Sequence, residues 1–449
     1  VIVIYKNDRS LPNDMGRKKA VKYDDGNGIP MLSAADATAN CATLKVVTTQ
    51  SSPNAKCIAL VSQPEGPIQT WHKSKPRPGV QDPPFQQVGL GVQTNGKNQF
   101  YAPLARAYEA HERTLQKFLE SWKDVKSELA VVTKKLDKKK PVVTLVCNLG
   151  QSALLSNFIC AARSKGFDLS NVIVFATDKE TKDIAEGLGV LVYYNKHNFE
   201  SLPTGEALIY GDSIFSQMMF AKVVPIVWLL RMKFNVVFQD VDVVWYKDSV
   251  SLFESDTRLT DFDVIFQDDG ARSLRYSPFF GNSGFYFIRN NPKTIHLFTT
   301  LLYHGAEIVA WKSHQQVLGT LLNEHSSRYG LRVKVLEGAS FPGGFHYHRD
   351  HSLMTNIAQG KSTPYLFHMS WTKNKADKVL FMQQMGLWYL QDHCIDDKAI
   401  DVLKGQGDFI STCCSKDPLI SCHYKDKPSI VPCKDSPTKD KGKTNFWTW

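Results

Sequence analysis

Asn235-Val236-Val237-Phe238-Gln239-Asp240-Val241-Asp242-Val243-Val244-Trp245 is the stretch that decides the fold. In it, an apolar run typical of a buried strand leads directly into two carboxylates. Because strand side chains alternate, we expect both carboxylates on one face at the carboxyl end of the strand, where open α/β sheets bind ligands. Two hard oxygen ligands at one edge suit Mg²⁺ or Mn²⁺ bridging to a diphosphate. A strand end with two solvated carboxylates is the simpler alternative.

Strand and helix patterns alternate around this stretch from Pro141 onward. The strand patterns before it are Val142–Cys147, Val172–Ala176 and Val190–Tyr194, and the helix patterns are Ser152–Lys165, Lys179–Leu188 and Ser213–Met232. This alternation predicts an α/β fold whose first half is a Rossmann-like nucleotide-binding unit. The chain contains neither GxGxxG nor GxxxxGK[ST], so a dinucleotide fingerprint and a P-loop are both excluded.

Two enzyme classes place a DxD pair after an apolar strand. In phosphatases of the haloacid dehalogenase type the motif opens the domain, and its first Asp is the nucleophile. In GT-A glycosyltransferases the motif follows the nucleotide-binding half. At least three strands precede Asp240, so its position favours the transferase. A catalytically silent protein of the same fold that binds glycans or acts as a scaffold is the other alternative.

Three segments occur in a recognisable order: Phe238–Trp245, Gly281-Asn-Ser-Gly-Phe-Tyr-Phe-Ile-Arg289 and His368-Met-Ser-Trp-Thr-Lys-Asn-Lys375. Together they closely resemble the nucleotide-diphospho-sugar transferases of glycosyltransferase family 77, which includes plant arabinosyl- and xylosyltransferases. The end of the chain, from Cys413 to Pro428, resembles algal members. The resemblance covers about 142–389. It implies a GT-A fold with a mixed central sheet, a divalent metal (Mn²⁺ or Mg²⁺) and a nucleotide-sugar donor, expected to be UDP-linked.

The resemblance also implies roles for individual residues. Asp240, Asp242 and His368 would hold the metal, although a lone His in an apolar run is more commonly a core residue. The catalytic candidates are Asp240, Asp242, Asp269 and Gln315. The nucleotide and its diphosphate would meet Asn148, Asp178, Lys222 and one of Lys373 and Lys375. The sugar and acceptor candidates are Asp268, Asn282, Ser283, Gly284, His314, His346 and Trp371.

The cluster around His346 has two readings. His346, His348, Asp350 and His351 are typical metal-ligand types, but on an extended segment nothing in their spacing makes them converge. We therefore expect an aromatic, hydrogen-bonding wall of an acceptor cleft, because planar rings with polar tips suit sugar stacking.

The catalytic domain is predicted at 141–390, between accessory segments. Residues 1–103 contain two β-like runs, 44–49 and 57–62, which suggest a hairpin stapled by Cys41 and Cys57, followed by a Pro-rich linker at 64–98. Residues 104–140 carry a heptad seam from Leu104 to Leu136. Such a seam predicts either a helix docked on its own domain or a coiled-coil stem, which would make a homodimer. Residues 391–449 are predicted to form a Cys-rich C-terminal wrap.

Cysteine placement and charge bear on the compartment and the partners. Five of the nine cysteines lie at or after Cys394, without the paired spacings of a zinc site, so we expect disulfides, with Cys147 and Cys160 as buried free thiols. This favours the secretory pathway, and together with the resemblance to family 77 it leads us to expect the Golgi lumen. The net charge of +10 is spread out, so nucleic acid is not an expected partner. No run reaches the ~18–20 apolar residues of a membrane span, and whether a signal or anchor precedes Val1 stays open.

Overall fold

The computed structural model describes residues 113–272, 276–405 and 407–420 in full. Outside them it gives four short strands, a turn at 78–79 and the start of a long helix. The chain divides into two units, one formed by 1–102 with 327–330 and the other by 103–326 with 331–449.

The first unit contains two strand pairs. β1 (Ile2–Val3) pairs antiparallel with β2 (Ala59–Leu60), and β3 (Thr70–Lys73) with β4 (Phe85–Val88). The second pair lies within 64–98, so the prediction of an irregular linker there was wrong. The prolines between β3 and β4 occupy positions where no ladder N–H is needed, so they do not interrupt the pairing. β2 lies in the predicted run 57–62, while run 44–49, Cys41 and Cys57 lie outside the described residues.

The second unit is built around a seven-stranded sheet. The strands of this sheet are β5 (Val142–Cys147), β6 (Val172–Ala176), β7 (Leu191–Tyr193), β8 (Val236–Gln239), β10 (Val264–Asp268), β11 (Gly281–Ile288) and β12 (Val333–Val335), and β9 (Val243–Trp245) and β13 (Leu366–His368) form a separate two-stranded pair. The helices of the unit are α1 (Ala105–Val132), α2 (Ser152–Ser164), α3 (Lys179–Gly187), α4 (Lys196–Phe199), α5 (Ser213–Ala221), α6 (Val223–Arg231), α7 (Ser249–Ser255), α8 (Pro292–Tyr303), α9 (Gly305–Trp311), α10 (His314–Tyr329), α11 (Gly344–Arg349), α12 (His351–Ala358), α13 (Lys375–Gln384), α14 (Asp397–Lys404) and α15 (Phe409–Cys413).

The sheet is mixed, and it is buried on both faces. Its strand order is β12-β10-β11-β8-β5-β6-β7, and β11 runs antiparallel to both of its neighbours, β10 and β8. Along β5, Val143 and Leu145 belong to one apolar cluster, whereas Val142 and Val146 belong to another. This is the layered α/β arrangement that the alternating sequence pattern predicts. It confirms the fold class and the mixed central sheet.

The helix predicted at Ser213–Met232 is interrupted once. α5 ends at Ala221 and α6 begins at Val223, with Lys222 at the junction. Pro225 has no N–H to donate to the carbonyl of Ala221, which accounts for the break. Within the described part of the chain, Ser213–Arg231 is nevertheless long and apolar enough to cross a membrane, but 72 % of its apolar window is buried inside the protein. Its burial is that of a core helix.

The heptad helix α1 docks on its own unit. In the part with described side chains, Phe118, Val125 and Leu129 are buried, and Phe118 stacks on Trp228 with ring centroids 6.1 Å apart. The seam that a coiled-coil partner would cover is therefore used inside the same unit. The predicted homodimer through residues 104–136 finds no support in this packing.

Two disulfides hold the C-terminal segment. One bonds it to α2, and the other closes a loop within the segment. Cys160 in α2 is bonded to Cys414, and Cys394 to Cys413, whereas Cys147 is a buried free thiol. The prediction of a free thiol was therefore wrong for Cys160. The local sequence could not reveal this pair, because its members are 254 residues apart.

We expect the long-range disulfide to stabilise the fold more than the short-range one. Its loop spans 254 residues against 19, so the chain-entropy model gives a difference of about 2 kcal/mol. Urea unfolding of Cys160→Ala/Cys414→Ala and of Cys394→Ala/Cys413→Ala measures it. Equal losses in the two double variants would contradict this expectation.

Candidate active site

The pairing of two short strands, β9 and β13, brings the candidate site residues together beside the loop that carries Asp240 and Asp242. β8 ends at Gln239, so Asp240 and Asp242 lie in the connection to β9 and not on a strand. β9 pairs antiparallel with β13, which sets His368 opposite Val243, and Met369 N–H donates to the carbonyl of Asp242 at 2.9 Å. The pairing thus carries a residue from late in the chain to the carboxylates.

Asp240, Asp242 and His368 form a cluster of potential metal ligands. One ligand atom from each lies within 4.8 Å of the other two. His368 Nε2 is 3.4 Å from Asp242 Oδ1, and both residues are buried. Burial opposes ionisation of Asp242, but the Lys378 ammonium outweighs it and holds the pKa of that carboxyl well below its usual range.

Gln267, on β10, orients the His368 ring. Its Nε2 donates to the carbonyl oxygens of Phe341 at 2.8 Å and Pro342 at 3.1 Å, which fixes the amide so that Oε1 faces His368 Nδ1 at 2.8 Å. Nδ1 must then carry the proton and donate to Oε1. The lone pair of Nε2 is consequently turned towards Asp242, as in metal sites where a further residue fixes the imidazole.

Two lysines pair with the two carboxylates. Lys222, at the α5–α6 junction, lies 2.5 Å from Asp240 Oδ1. Lys378, in the first turn of α13, pairs with Asp242 Oδ2. All four side chains are less than a quarter exposed, so these ion pairs are largely screened from solvent.

Gly284 leaves the space in which the cluster is packed. A Cβ added there would lie 2.8 Å from Asp240 Oδ2 and closer still to His368 Cε1. Gly284 also accepts the N–H of Asp240 at 2.7 Å, so its backbone supports the loop that its missing side chain makes room for. β11 can therefore lie this close to the Asp240, Asp242 and His368 cluster only because residue 284 is a glycine.

A polar wall continues from Gly284 along β11. Asn282 and Gln315 donate to the same atom, Asp269 Oδ1, at 2.8 and 3.1 Å, and the backbone N–H of Ser283 donates to Gln315 Oε1 at 2.9 Å. Among the described residues, Asp269 Oδ2 has no hydrogen-bond partner. Burial raises the pKa of Asp269 to about 6.

These groups line one cavity of about 400 Å³, a volume typical of small-molecule sites. The lining includes the ligand cluster together with most of the residues predicted from sequence: Asn148, Lys222, Asp269, Asn282, Ser283, Gly284, His314, Gln315, Trp371, Lys373 and Lys375. His314 is buried, which lowers its pKa to about 3. Lys373 is exposed at the mouth.

Asp178, Asp268 and His346 are not among the lining residues. Asp178 caps α3 through the N–H of Thr181 at 2.8 Å. Successive residues on a strand point to opposite faces, so Asp269 takes the cavity side and Asp268 points away from it. Asp268 forms an ion pair with Arg272. His346 lies in α11, not on an extended segment, and accepts the N–H of Gly343. Each of these three residues therefore has a structural role in the fold, and its predicted contact with ligand stays a prediction.

Lys375 is engaged elsewhere, although it lines the cavity. It donates to the carbonyl of Gly150 at 2.8 Å and pairs with Glu206 and Asp396. Lys378, which sequence reasoning missed, is the helix residue that reaches the DxD carboxylates. Its spacing of three residues from Lys375 on one helix was the available signal. Gln267 was also missed, because its contact with His368 exists only in the folded protein and leaves no local pattern in the sequence.

We expect replacement of Asp269 and of its neighbour Asp268 by Asn to change the stability of the fold in opposite directions. Because the folded-state pKa of Asp269 is raised to about 6, its ionisation costs stability as pH rises from 4 through 6. We expect Asp269→Asn, which can still accept both hydrogen bonds, to stabilise the fold at pH 7 by about 3 kcal/mol and to lose that advantage near pH 4. Urea unfolding at both pH values measures it.

Asp268→Asn is the matched control. Burial opposes ionisation of Asp268, but Arg272 and the N–H of Gly270 lower its pKa, so the stability it contributes is present at neutral pH and is lost in acid. Its amide variant should be less stable than the parent protein at pH 7. The same sign of effect in both variants at pH 7 would refute these assignments.

Comparisons with known proteins agree with this geometry. Residues 168–382 match the family described as nucleotide-diphospho-sugar transferase. The β-arabinofuranosyltransferase RAY1 of Arabidopsis thaliana is 23 % identical over 284 residues, covering 59 % of this chain and 50 % of that protein. The UDP-galactose:fucoside α-3-galactosyltransferase of Dictyostelium discoideum is 24 % identical over 305 residues, covering 58 % and 44 %. The chain thus spans about half the length of these curated relatives.

Among solved structures, the apo bifunctional glycosyltransferase WbbM is 14 % identical with a TM-score of 0.37, covering 55 % of this chain and 50 % of that one. The glycosyltransferase GlyE of Streptococcus pneumoniae is 15 % identical with a TM-score of 0.32, covering 52 % and 56 %. Residues 168–382 are therefore similar to the nucleotide-diphospho-sugar transferases, and they lie within an α/β fold with a mixed central sheet.

Proposed function

We propose that the protein transfers a sugar from a nucleotide-sugar donor, UDP-linked, to a hydroxyl of a glycan or glycoprotein, and that the transfer needs a divalent cation. The observation that carries the proposal is the Asp240, Asp242 and His368 cluster on the wall of the 400 Å³ cavity. The two curated relatives named above are glycosyltransferases, and the name of one specifies UDP-galactose.

The donor set fits Mn²⁺ or Mg²⁺. Two carboxylates offer hard oxygen ligands and the imidazole offers a borderline nitrogen ligand, and Gln267 leaves the unprotonated Nε2 of His368 facing Asp242. Gly284 keeps this side of the cluster clear of any side chain. When bound, such a cation supplies positive charge to a nucleoside diphosphate leaving group.

The remaining lining residues would position the sugar. Asp269 Oδ2 is an acceptor without a described partner, and Ser283 and Gln315 hold the wall beside it. A sugar hydroxyl could donate to Asp269 without displacing either of its existing hydrogen bonds, since both converge on Oδ1. His314 Nε2 and Asn148 Oδ1 are two further buried polar atoms of the lining without described partners.

The finer placement of the protein belongs to the same proposal. The segments quoted above favour membership of glycosyltransferase family 77. Two disulfides in the described part of the chain favour an oxidising compartment, hence the secretory pathway, and the resemblance to family 77 extends the proposal to the Golgi lumen.

Donor hydrolysis tests the proposed reaction. We expect slow Mn²⁺-dependent release of UDP from one member of a panel of UDP-sugars, and at least a ~100-fold loss in Asp242→Asn, because the cation loses a charged ligand. Asp401→Asn, at an exposed surface ion pair, is the charge-matched control and should keep the parent rate.

Turnover that persists in EDTA and in Asp242→Asn would refute metal dependence. Mn²⁺-dependent UDP binding without turnover of any nucleotide sugar would favour the silent, glycan-binding alternative. Calorimetric titration of UDP with and without Mn²⁺ separates these outcomes.

Gly284→Ala should damage the metal site directly. Its methyl group would overlap His368 Cε1 and crowd Asp240, so we expect at least a ~10-fold weaker affinity for Mn²⁺. Titration of Mn²⁺ followed by electron paramagnetic resonance measures this affinity. Gly319→Ala, where an added Cβ would meet nothing within 4 Å, is the control and should bind Mn²⁺ normally. Equal affinities in both variants would show that Gly284 does not shape the site.

A further inference from the structure

The ligand cluster is electrostatically balanced by the protein itself. Asp240 and Asp242 carry two negative charges, and Lys222 and Lys378 place two ammonium groups on them, one on each. The pairs come from separate elements, the α5–α6 junction and the start of α13. Asp242 is only 3 % exposed at its side chain, so its charge is compensated almost entirely by protein groups.

This balance changes when a divalent cation enters. A cation held by Asp240, Asp242 and His368 competes with the two ammonium groups for the same carboxylates, and it repels them across a few ångströms of poorly solvated space. With the cation bound, the four side chains and the ion together carry an excess of two positive charges. A nucleoside diphosphate brings two to three negative charges and restores the balance.

We propose that Lys222 and Lys378 couple cation binding to nucleotide binding by exchanging partners, from the ligand carboxylates to the donor's diphosphate. This deepens the proposed function and rests on it. Each lysine weakens binding of the cation alone and strengthens binding of the nucleotide once the cation is present. By linkage, the nucleotide must raise the cation's affinity by the same factor as the cation raises the nucleotide's.

The neighbouring lysines do not share this arrangement. Lys375 is bound to Glu206, Asp396 and the carbonyl of Gly150, which fixes the start of α13. Lys373 is exposed. Lys378 is therefore held in place by an anchored helix and still contacts a ligand carboxylate, which is what partner exchange requires. Lys222 lies at a helix junction, where the backbone is already interrupted.

The test measures two affinities and their coupling. Mn²⁺ is titrated into the full chain with and without saturating UDP, followed by electron paramagnetic resonance, and UDP is titrated calorimetrically with and without Mn²⁺. In Lys378→Met we expect Mn²⁺ alone to bind about tenfold more tightly and UDP in saturating Mn²⁺ to bind about tenfold more weakly, so that the coupling factor falls.

Two further variants guard against a folding defect. Lys222→Met removes the ammonium group from Asp240, the more exposed of the two carboxylates, and should shift both affinities in the same directions. Lys378→Arg keeps the charge and should retain most of the coupling. Lys404→Met, at an exposed surface pair, is the control and should change neither affinity.

The outcomes separate this inference from the function on which it rests. If the parent protein binds no Mn²⁺, the metal-dependent function fails, and the inference fails with it. If the parent binds Mn²⁺ and UDP, but Lys378→Met and Lys222→Met leave the coupling factor unchanged or weaken Mn²⁺ binding, only the partner exchange is refuted.

Discussion

The antiparallel pairing of β9 with β13 is the contact on which the site depends. It sets His368 opposite Val243, immediately after the DxD carboxylates, across more than a hundred residues of intervening chain. Gly284 on β11 gives the clearance, and Gln267 on β10 sets the ring tautomer. The candidate metal ligands, their clearance and the ring orientation thus come from four different strands or their ends, so the site forms only when the sheet region is complete.

Much of this could be predicted from sequence. Alternating strand and helix patterns indicate the α/β sheet, and an apolar strand followed by two carboxylates indicates its ligand edge, because both signals are local. What sequence could not give were partners fixed by tertiary contact. Lys378 was overlooked for Lys375, since helix spacing alone cannot say which lysine meets Asp242 and which meets Asp396. Asp178 and Asp268 have the right chemistry but point elsewhere, and Cys160 finds its partner at the far end of the chain.

The site also shows how buried charge is tolerated in this fold. Asp242 is kept ionised by Lys378, whereas Asp269, with only neutral hydrogen-bond donors, has its pKa raised to about 6. Two carboxylates of one cavity therefore differ in their readiness to ionise, according to whether a cation or an amide faces them. The first suits a metal ligand, and the second suits an acceptor for a sugar hydroxyl.

The central claim is that Asp240, Asp242 and His368 hold a divalent cation that receives the donor's diphosphate. A crystal structure with Mn²⁺ and UDP tests it most directly, through anomalous scattering at the manganese edge. We predict one anomalous peak within about 2.0–2.3 Å of His368 Nε2 and of an oxygen of each carboxylate, with the diphosphate as a further ligand. UDP bound in the cavity with no anomalous peak at this cluster would contradict the account.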